Sequence, residues 1–208
     1  MGKSTHIRNN VEGATFRRFA PDEAAETSDF RRGDFILTHG NTFFSKLIRF
    51  GQKISFWGAN RIYTRWSHAA LIVSEDGELI EAVGAGVKRS HINEYAPTEY
   101  HLVNLNSLAH DNDREQVCAF AETTIGQPYG ILTCFSIAIG LLTGCRLTFG
   151  FDGQYVCSGL VARALERTSA IFDRSPSHIL PADLAKYFKV LPPPKGSLKG
   201  RVPLRPKK

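Results

Sequence analysis

Residues 154–165 read QYVCSGLVARAL, and they have the pattern of a helix that begins at a cysteine. Near a helix N-terminus, unpaired backbone N–H groups and the positive end of the helix dipole favour the thiolate, which is the nucleophilic form of cysteine. Cys157 is therefore a candidate nucleophile, and the competing interpretation is an inert core thiol, the commoner role of a free cysteine. The helical spacing comes from Val156, Leu160, Val161, Ala164 and Leu165, which follow a turn at 150–153.

Length and composition are those of one globular domain with short appendages: 208 residues, 42% hydrophobic and 22% charged. The net charge of +6 lies at the C-terminal end, where six Lys and Arg residues beyond Pro192 have no acidic neighbour. The rest of the chain carries equal numbers of basic and acidic residues. We therefore expect no nucleic-acid-binding face, and an anionic membrane surface is the partner that the basic tail itself suggests.

Cysteine spacing argues against a zinc site and against a disulfide framework. The four cysteines, Cys118, Cys134, Cys145 and Cys157, form no CxxC pair and have no close histidine partner, so we expect neither a metal nor another cofactor. No apolar leader precedes Phe35. Thiols in such a chain indicate a reducing compartment, and we expect a cytoplasmic protein, with leaderless export as the open alternative.

The order of the predicted elements favours an α+β fold, because hairpins and helices occur in blocks and do not alternate strictly. Residues 1–29 are predicted to be a polar arm, mobile or loosely docked. Residues 30–191 hold the predicted domain, and residues 192–208 form a basic, proline-containing tail that we expect to be disordered. The strands are predicted at 35–38, 66–73, 78–83 and 101–105, and helical segments from 43, over 113–124 and at 180–185.

An apolar run covers residues 130–144, GILTCFSIAIGLLTG. It is too short to span a bilayer comfortably, and we interpret it as a buried helix. An acyl-chain pocket or a flap that touches a membrane is the alternative interpretation.

A histidine hairpin is predicted at 66–83, WSHAALIVSEDGELIEAV. A thiol nucleophile needs a base and a third polar group that orients the base, and we assign these roles to His68 and Glu81. Among the histidines, only His68 lies inside a strongly apolar strand. A two-residue turn at Asp76-Gly77 places Glu81 opposite Ile72, roughly 13 Å from His68 along the strand. A wider loop, a bulge or strong twist must therefore close the gap, and a solvated or structural acid is the alternative for Glu81.

These motifs resemble those of a known family. Cys157-Ser158-Gly159-Leu160 resembles the nucleophile motif of NlpC-type papain-like cysteine peptidases, and 66–73 followed by 79–82 resembles their histidine hairpin. Common members place the cysteine before the histidine, whereas this chain has the order of the circularly permuted branch, which is related to lecithin:retinol acyltransferase. Gly33-Asp34 and the GQPY sequence at 126–129 also resemble that branch, and the resemblance covers about residues 30–188.

The resemblance implies an antiparallel sheet or small barrel packed on the cysteine helix. It implies a cysteine hydrolase that cleaves an amide bond, in a peptide, a cell-wall peptide or an N-acyl amino acid, through a thioester acyl-enzyme. The backbone N–H of Cys157 would hold part of the oxyanion. Two other functions stay open: a phospholipase or acyltransferase that uses the same cysteine and histidine on lipid, and a binding module without turnover.

Overall fold

The computed structural model describes residues 7–8, 13–40, 43–128, 130, 156–172 and 175–192. Within these ranges the fold is α+β, with one seven-stranded sheet in the order β1-β2-β7-β3-β4-β5-β6, antiparallel throughout. The strands are β1 (Ile7–Arg8), β2 (Thr15–Phe19), β3 (Phe35–Thr38), β4 (His68–Ile72), β5 (Glu78–Val83), β6 (Gly86–His91) and β7 (Tyr100–Asn104). The α-helices are α1 (Phe43–Ser55), α2 (Asp111–Thr123), α3 (Cys157–Leu165) and α4 (Pro181–Tyr187). Short 3₁₀ helices cover Thr27–Asp29, Gly58–Arg65, Ile92–Tyr95, Asn106–Leu108 and Pro176–His178.

Both faces of the sheet are covered, so its central strand β3 is buried along its whole length. On one face, residues such as Leu37, Leu71 and Ile80 pack with Leu160 and Val161 of α3. The opposite face forms a second apolar cluster, which includes Ile36, Ile72, Leu79, Phe19 and Tyr100. This arrangement explains why the strands read as continuous apolar runs and do not alternate apolar with polar residues.

The prediction of a helix that begins at the cysteine is confirmed. Val156 is the extended N-cap residue, Cys157 is the first helical residue, and every residue of α3 except Arg163 is buried. Gly159 permits this close packing, because a Cβ there would lie 3.0 Å from Val156 Cγ2 and 3.1 Å from the carbonyl oxygen of Pro176. The start of α3 is thus fixed by packing on several sides.

Part of the predicted N-terminal arm belongs to the sheet, so the expectation of a mobile or loosely docked segment is wrong for residues 15–19. They form β2, which pairs with β7 along its whole length. Phe16 and Phe19 are buried. The apolar run at 130–144 lies outside the described residues except for Gly130, and the tail beyond Pro192 lies outside them altogether. No helix in the described parts of the chain is long and apolar enough to cross a membrane.

A buried ion pair joins the start of β3 to α2 and to the end of β7. Asp34 accepts hydrogen bonds from Arg114 Nη1 at 2.8 Å, from Asn104 Nδ2 at 2.9 Å and from the backbone N–H of Leu105 at 3.0 Å. Both members of the pair are almost completely buried. The Gly33-Asp34 sequence is therefore more than a turn, because its carboxylate fastens three elements together.

We expect Asp34→Ala to lower the free energy of unfolding by about 3–5 kcal/mol, because it leaves the Arg114 guanidinium buried without its carboxylate. The matched control is Asp111→Ala, which removes a carboxylate from an exposed ion pair with Arg31 and should cost less than about 1 kcal/mol. Urea denaturation of both variants measures the difference. Equal losses in the two variants would contradict this role of Asp34.

Candidate active site

The loop of the histidine hairpin is wider than the two-residue turn that the sequence predicts. Leu71 pairs with Ile80, and the N–H of Val73 donates to the carbonyl of Glu78 at 2.9 Å, so the loop is residues 74–77. Gly77 has φ +89°, a left-handed conformation that glycine adopts without strain. A Cβ at this position would also lie 2.6 Å from Ile92 Cγ2. A longer loop that ends at this glycine therefore shifts the register of β5 along β4.

The shifted register brings the predicted base and its orienting group together. Because Leu71 lies opposite Ile80, Glu81 lies opposite Ala70, diagonally across from His68 on the same face. Diagonal neighbours are within reach of long side chains, and His68 Nε2 lies 2.6 Å from Glu81 Oε2. The gap that the two-residue turn implies is closed by this loop.

Cys157 meets His68 where the pairing of β4 with β5 ends. The β4 ladder directs the N–H groups of Leu71 and Ala69 toward β5, and Leu71 pairs there with Ile80. The N–H of Ala69 instead donates to the sulfur of Cys157, which also accepts hydrogen bonds from the Ser158 N–H and from the His68 ring. Because Nε2 of His68 is bonded to Glu81, Nδ1 is the ring nitrogen that faces the sulfur. The three side chains thus form one hydrogen-bonded line.

The charges in this line stabilise the thiolate form of Cys157. Burial opposes ionisation of the thiol, but the positive charge and hydrogen bond of His68, with two backbone N–H groups, lower its pKa below the ordinary value. Burial also opposes the charge on His68, yet Cys157 and Glu81 together raise the His68 pKa to about 10. Burial likewise disfavours the carboxylate of Glu81, but the hydrogen bond and charge of His68 lower its pKa to about 2. The site therefore favours a thiolate on Cys157 beside an imidazolium on His68.

Tyr95 is a member of the site that the sequence did not reveal. Its hydroxyl donates to Glu81 Oε2, and its ring stacks on the His68 ring with centroids 6.1 Å apart and planes 16° apart. Burial and the negative charge of Glu81 raise the Tyr95 pKa, so the hydroxyl remains a donor. Tyr95 lies in a 3₁₀ turn after β6, and no local sequence pattern places that turn beside the hairpin.

A cleft of about 330 Å³ opens onto Cys157 and His68. Its wall includes His39, which directly follows β3. Burial and the nearby positive charge of Arg65 lower the His39 pKa to about 4, so this imidazole is neutral at pH 7. Its Nδ1 is buried and has no hydrogen-bond partner among the described residues. The remaining lining residues include Thr38, Ser45, Ile48, Ala82, Val83 and Thr98.

The backbone N–H groups at the start of α3 lie beside the thiol. The first intrahelical bond runs from the Leu160 N–H to the Val156 carbonyl at 2.9 Å, so the N–H groups of residues 157–159 precede it and have no backbone acceptor within the helix. Such groups are suited to an oxyanion on a carbon attacked by Cys157. In the parts of the chain that the structure describes, no three His, Cys, Asp or Glu side chains are grouped as metal ligands.

Comparison with known proteins gives no functional assignment for this site. No protein-family model matches the chain. A search of curated proteins finds none with significant similarity.

Proposed function

We propose that the protein is a cysteine hydrolase that cleaves an amide bond through a thioester on Cys157. The observation that carries this proposal is the hydrogen-bonded line from Cys157 through His68 to Glu81 at the end of an accessible cleft. An inert core thiol has no need of a charged histidine, and burial alone would raise its pKa. Cys118, the other described free cysteine, is such a thiol, because burial raises its pKa.

We also propose that the fold is the circularly permuted papain-like fold of the NlpC type. Support comes from the antiparallel sheet, from the packing of α3 against β4 and β5, and from the chain order of the site, with His68 before Cys157. The diagonal pairing of Glu81 with His68 supports the role of the carboxylate as the group that orients the base.

In the first half of the reaction, the Cys157 thiolate attacks the acyl carbon, and the carbonyl electron pair moves to the oxygen beside the N–H groups at the start of α3. Collapse of this intermediate breaks the carbon–nitrogen bond, and the His68 imidazolium gives its proton to the departing amine. A thioester on Cys157 and a neutral His68 remain.

In the second half, water attacks the thioester and gives a proton to His68. The carbon–sulfur bond breaks, the carboxylic acid leaves, and the thiolate–imidazolium pair is restored. Glu81 and Tyr95 act as positioning residues in both halves, because they hold the ring with Nδ1 toward the sulfur. One water is consumed for each amide bond that is cleaved.

Acyl transfer or hydrolysis on lipid is the second candidate function. It is favoured by the apolar part of the cleft wall, where Ile48, Ala82 and Val83 lie beside Cys157. The same thiolate and base serve both reactions, and the identity of the leaving group separates them.

Intact-protein mass spectrometry tests the function directly. The chain is exposed to peptide, N-acyl amino acid and phospholipid substrates, and peptide mapping locates any acyl adduct. We expect an adduct on Cys157 that is absent from Cys157→Ala and retained in Cys118→Ala, the matched control for a buried thiol. The mass of the adduct and the released product distinguish amide from lipid substrates. An adduct-free Cys157 that reacts with iodoacetamide no faster than free cysteine would contradict the proposal and favour a binding module.

A further inference from the structure

A basic groove lies beside the candidate active site, on another side of helix α1. Ser45 and Ile48 of this helix line the cleft that holds Cys157. Other residues of the helix, together with the 3₁₀ helix Gly58–Arg65, enclose a separate groove of about 740 Å³. The groove is lined by Lys46, Arg49, Phe50, Lys53, Arg61, Ile62, Thr64, Arg65 and Pro192.

The charge of this groove is not balanced by nearby acids. The chain contains no Asp or Glu from Phe35 to Ser74, and all five Lys and Arg residues of that segment line the groove. Arg65 pairs with Glu99 at 3.5 Å. The other four cations form no ion pair with any residue in the described ranges. The equal totals of acids and bases in the body of the chain therefore conceal a local excess of positive charge at this groove.

Large apolar side chains project from the same segment. Trp57 is 80% exposed, Phe50 57% and Ile62 46%, and these are half of the strongly exposed large hydrophobic residues in the described parts of the chain. Lysine and arginine mixed with exposed aromatic and aliphatic side chains are typical of surfaces that bind the headgroup region of a bilayer. Nucleic acid also attracts cations and stacks its bases on aromatic rings, but it offers Ile62 no comparable apolar environment.

We propose that helix α1 and the turn after it, residues 46–65, form a docking surface for an anionic lipid membrane. The cations attract the anionic headgroups, and Phe50, Trp57 and Ile62 enter the boundary between headgroups and acyl chains. Since Ser45 and Ile48 of α1 also line the cleft, docking places the cleft that holds Cys157 on the other side of a helix that contacts the membrane. The delivery of a membrane lipid to Cys157 rests on the proposed function, whereas the docking itself does not.

Vesicle co-sedimentation of the full chain tests the docking. The probes are vesicles of phosphatidylcholine alone and of phosphatidylcholine with phosphatidylserine at a ratio of seven to three. We expect binding to the anionic vesicles that weakens as salt is raised, and an affinity reduced by about tenfold or more in Arg49→Gln/Lys53→Gln/Arg61→Gln. The matched control is Arg31→Gln/Arg89→Gln/Arg163→Gln, which removes the same charge outside the groove and should change the affinity by less than about twofold.

A second variant tests the apolar part of the surface. Trp57→Ser/Ile62→Ser keeps every charge and alters only exposed side chains, so we expect the fold to persist and vesicle affinity to fall by at least about threefold. The proposal of a docking surface is contradicted if the wild type does not bind anionic vesicles. It is contradicted equally if the two triple charge-removal variants lose the same affinity. It is also contradicted if single-stranded RNA binds more tightly than the vesicles through the same cations. None of these readouts involves turnover, so failure of docking and failure of the hydrolase proposal are separate results.

Discussion

Replacement of His68 by alanine is expected to lower kcat/KM by about 10³-fold or more and to abolish the reactivity of Cys157 at acidic pH. In the wild type the imidazolium of His68 lowers the thiol pKa, so the thiolate persists below the ordinary pKa of cysteine. Without His68, only the two backbone N–H groups oppose the effect of burial, so that pKa rises. At pH 6.5 an ordinary thiol with a pKa of about 8.5 is only about 1% thiolate, so the rate of alkylation by iodoacetamide should fall by up to about 100-fold.

The pH dependence of the wild type follows from the signs of the two shifts. The lowered pKa of Cys157 means that the thiolate is lost only as the pH falls through that lowered value. The raised pKa of His68 means that the proton for the leaving amine is lost only as the pH rises through about 10. We expect kcat/KM to be nearly constant across neutral pH and to decline near pH 10, in a profile measured with any substrate that forms the adduct.

His110→Ala is the matched control for His68, because it removes an exposed imidazole before α2 that lies outside the cleft. Its alkylation rate and its pH profile should be those of the wild type. The Cys157→Ala and His68→Ala variants should melt within roughly 3 °C of the wild type, a shift of about 1 kcal/mol in a domain of this size. If stability and reactivity fell together in His68→Ala, the pair would be structural.

The sequence predicts those features of the site that are determined by residues close together in the chain. The start of α3 at Cys157 follows from the apolar period of the helix and from the turn before it. That His68 and Glu81 share a face follows from the alternation of β-strands. The distance between His68 and Glu81 does not follow from this alternation, because it depends on the number of loop residues between β4 and β5. The left-handed Gly77 beside Ile92 fixes that number only in the folded chain.

The missed features depend on segments that are distant in sequence. Tyr95 reaches Glu81 because the turn after β6 folds back over the hairpin, and the Ala69 N–H is free for the sulfur because α3 arrives where the ladder ends. Strand β2 escaped prediction because Phe16 and Phe19 pack on opposite faces of a sheet that is covered on both sides. The adjacent arginines between them interrupt any alternation and form ion pairs with Asp29 and Glu99.

Removal of the carboxylate of Glu81 is expected to shift the alkaline limb of the pH profile, which is the decline of kcat/KM near pH 10. Removal of a merely structural acid would not shift it. In Glu81→Gln the negative charge that helps to raise the His68 pKa is gone, so that pKa falls and the limb moves to lower pH by about one unit or more. The amide oxygen still accepts a hydrogen bond from the ring, and we expect kcat/KM to fall by only about tenfold. Glu81→Ala leaves the His68 ring without its orienting group, and we expect kcat/KM to fall by about 100-fold.

Glu94→Gln is the matched control, since Glu94 is an exposed neighbour of the site that shares Lys88 with Glu81. It makes the same chemical change and should leave kcat/KM and the position of the limb unchanged within about twofold. Tyr95→Phe removes the hydroxyl that donates to Glu81 while it keeps the ring stacked on His68, so a loss in kcat/KM of about threefold is expected. The decisive comparison is between stability and pH profile. A Glu81→Gln protein that unfolds more readily yet keeps the wild-type alkaline limb would make Glu81 a structural acid, whereas a displaced limb in a protein of near-normal stability assigns it to the orientation and charge of His68.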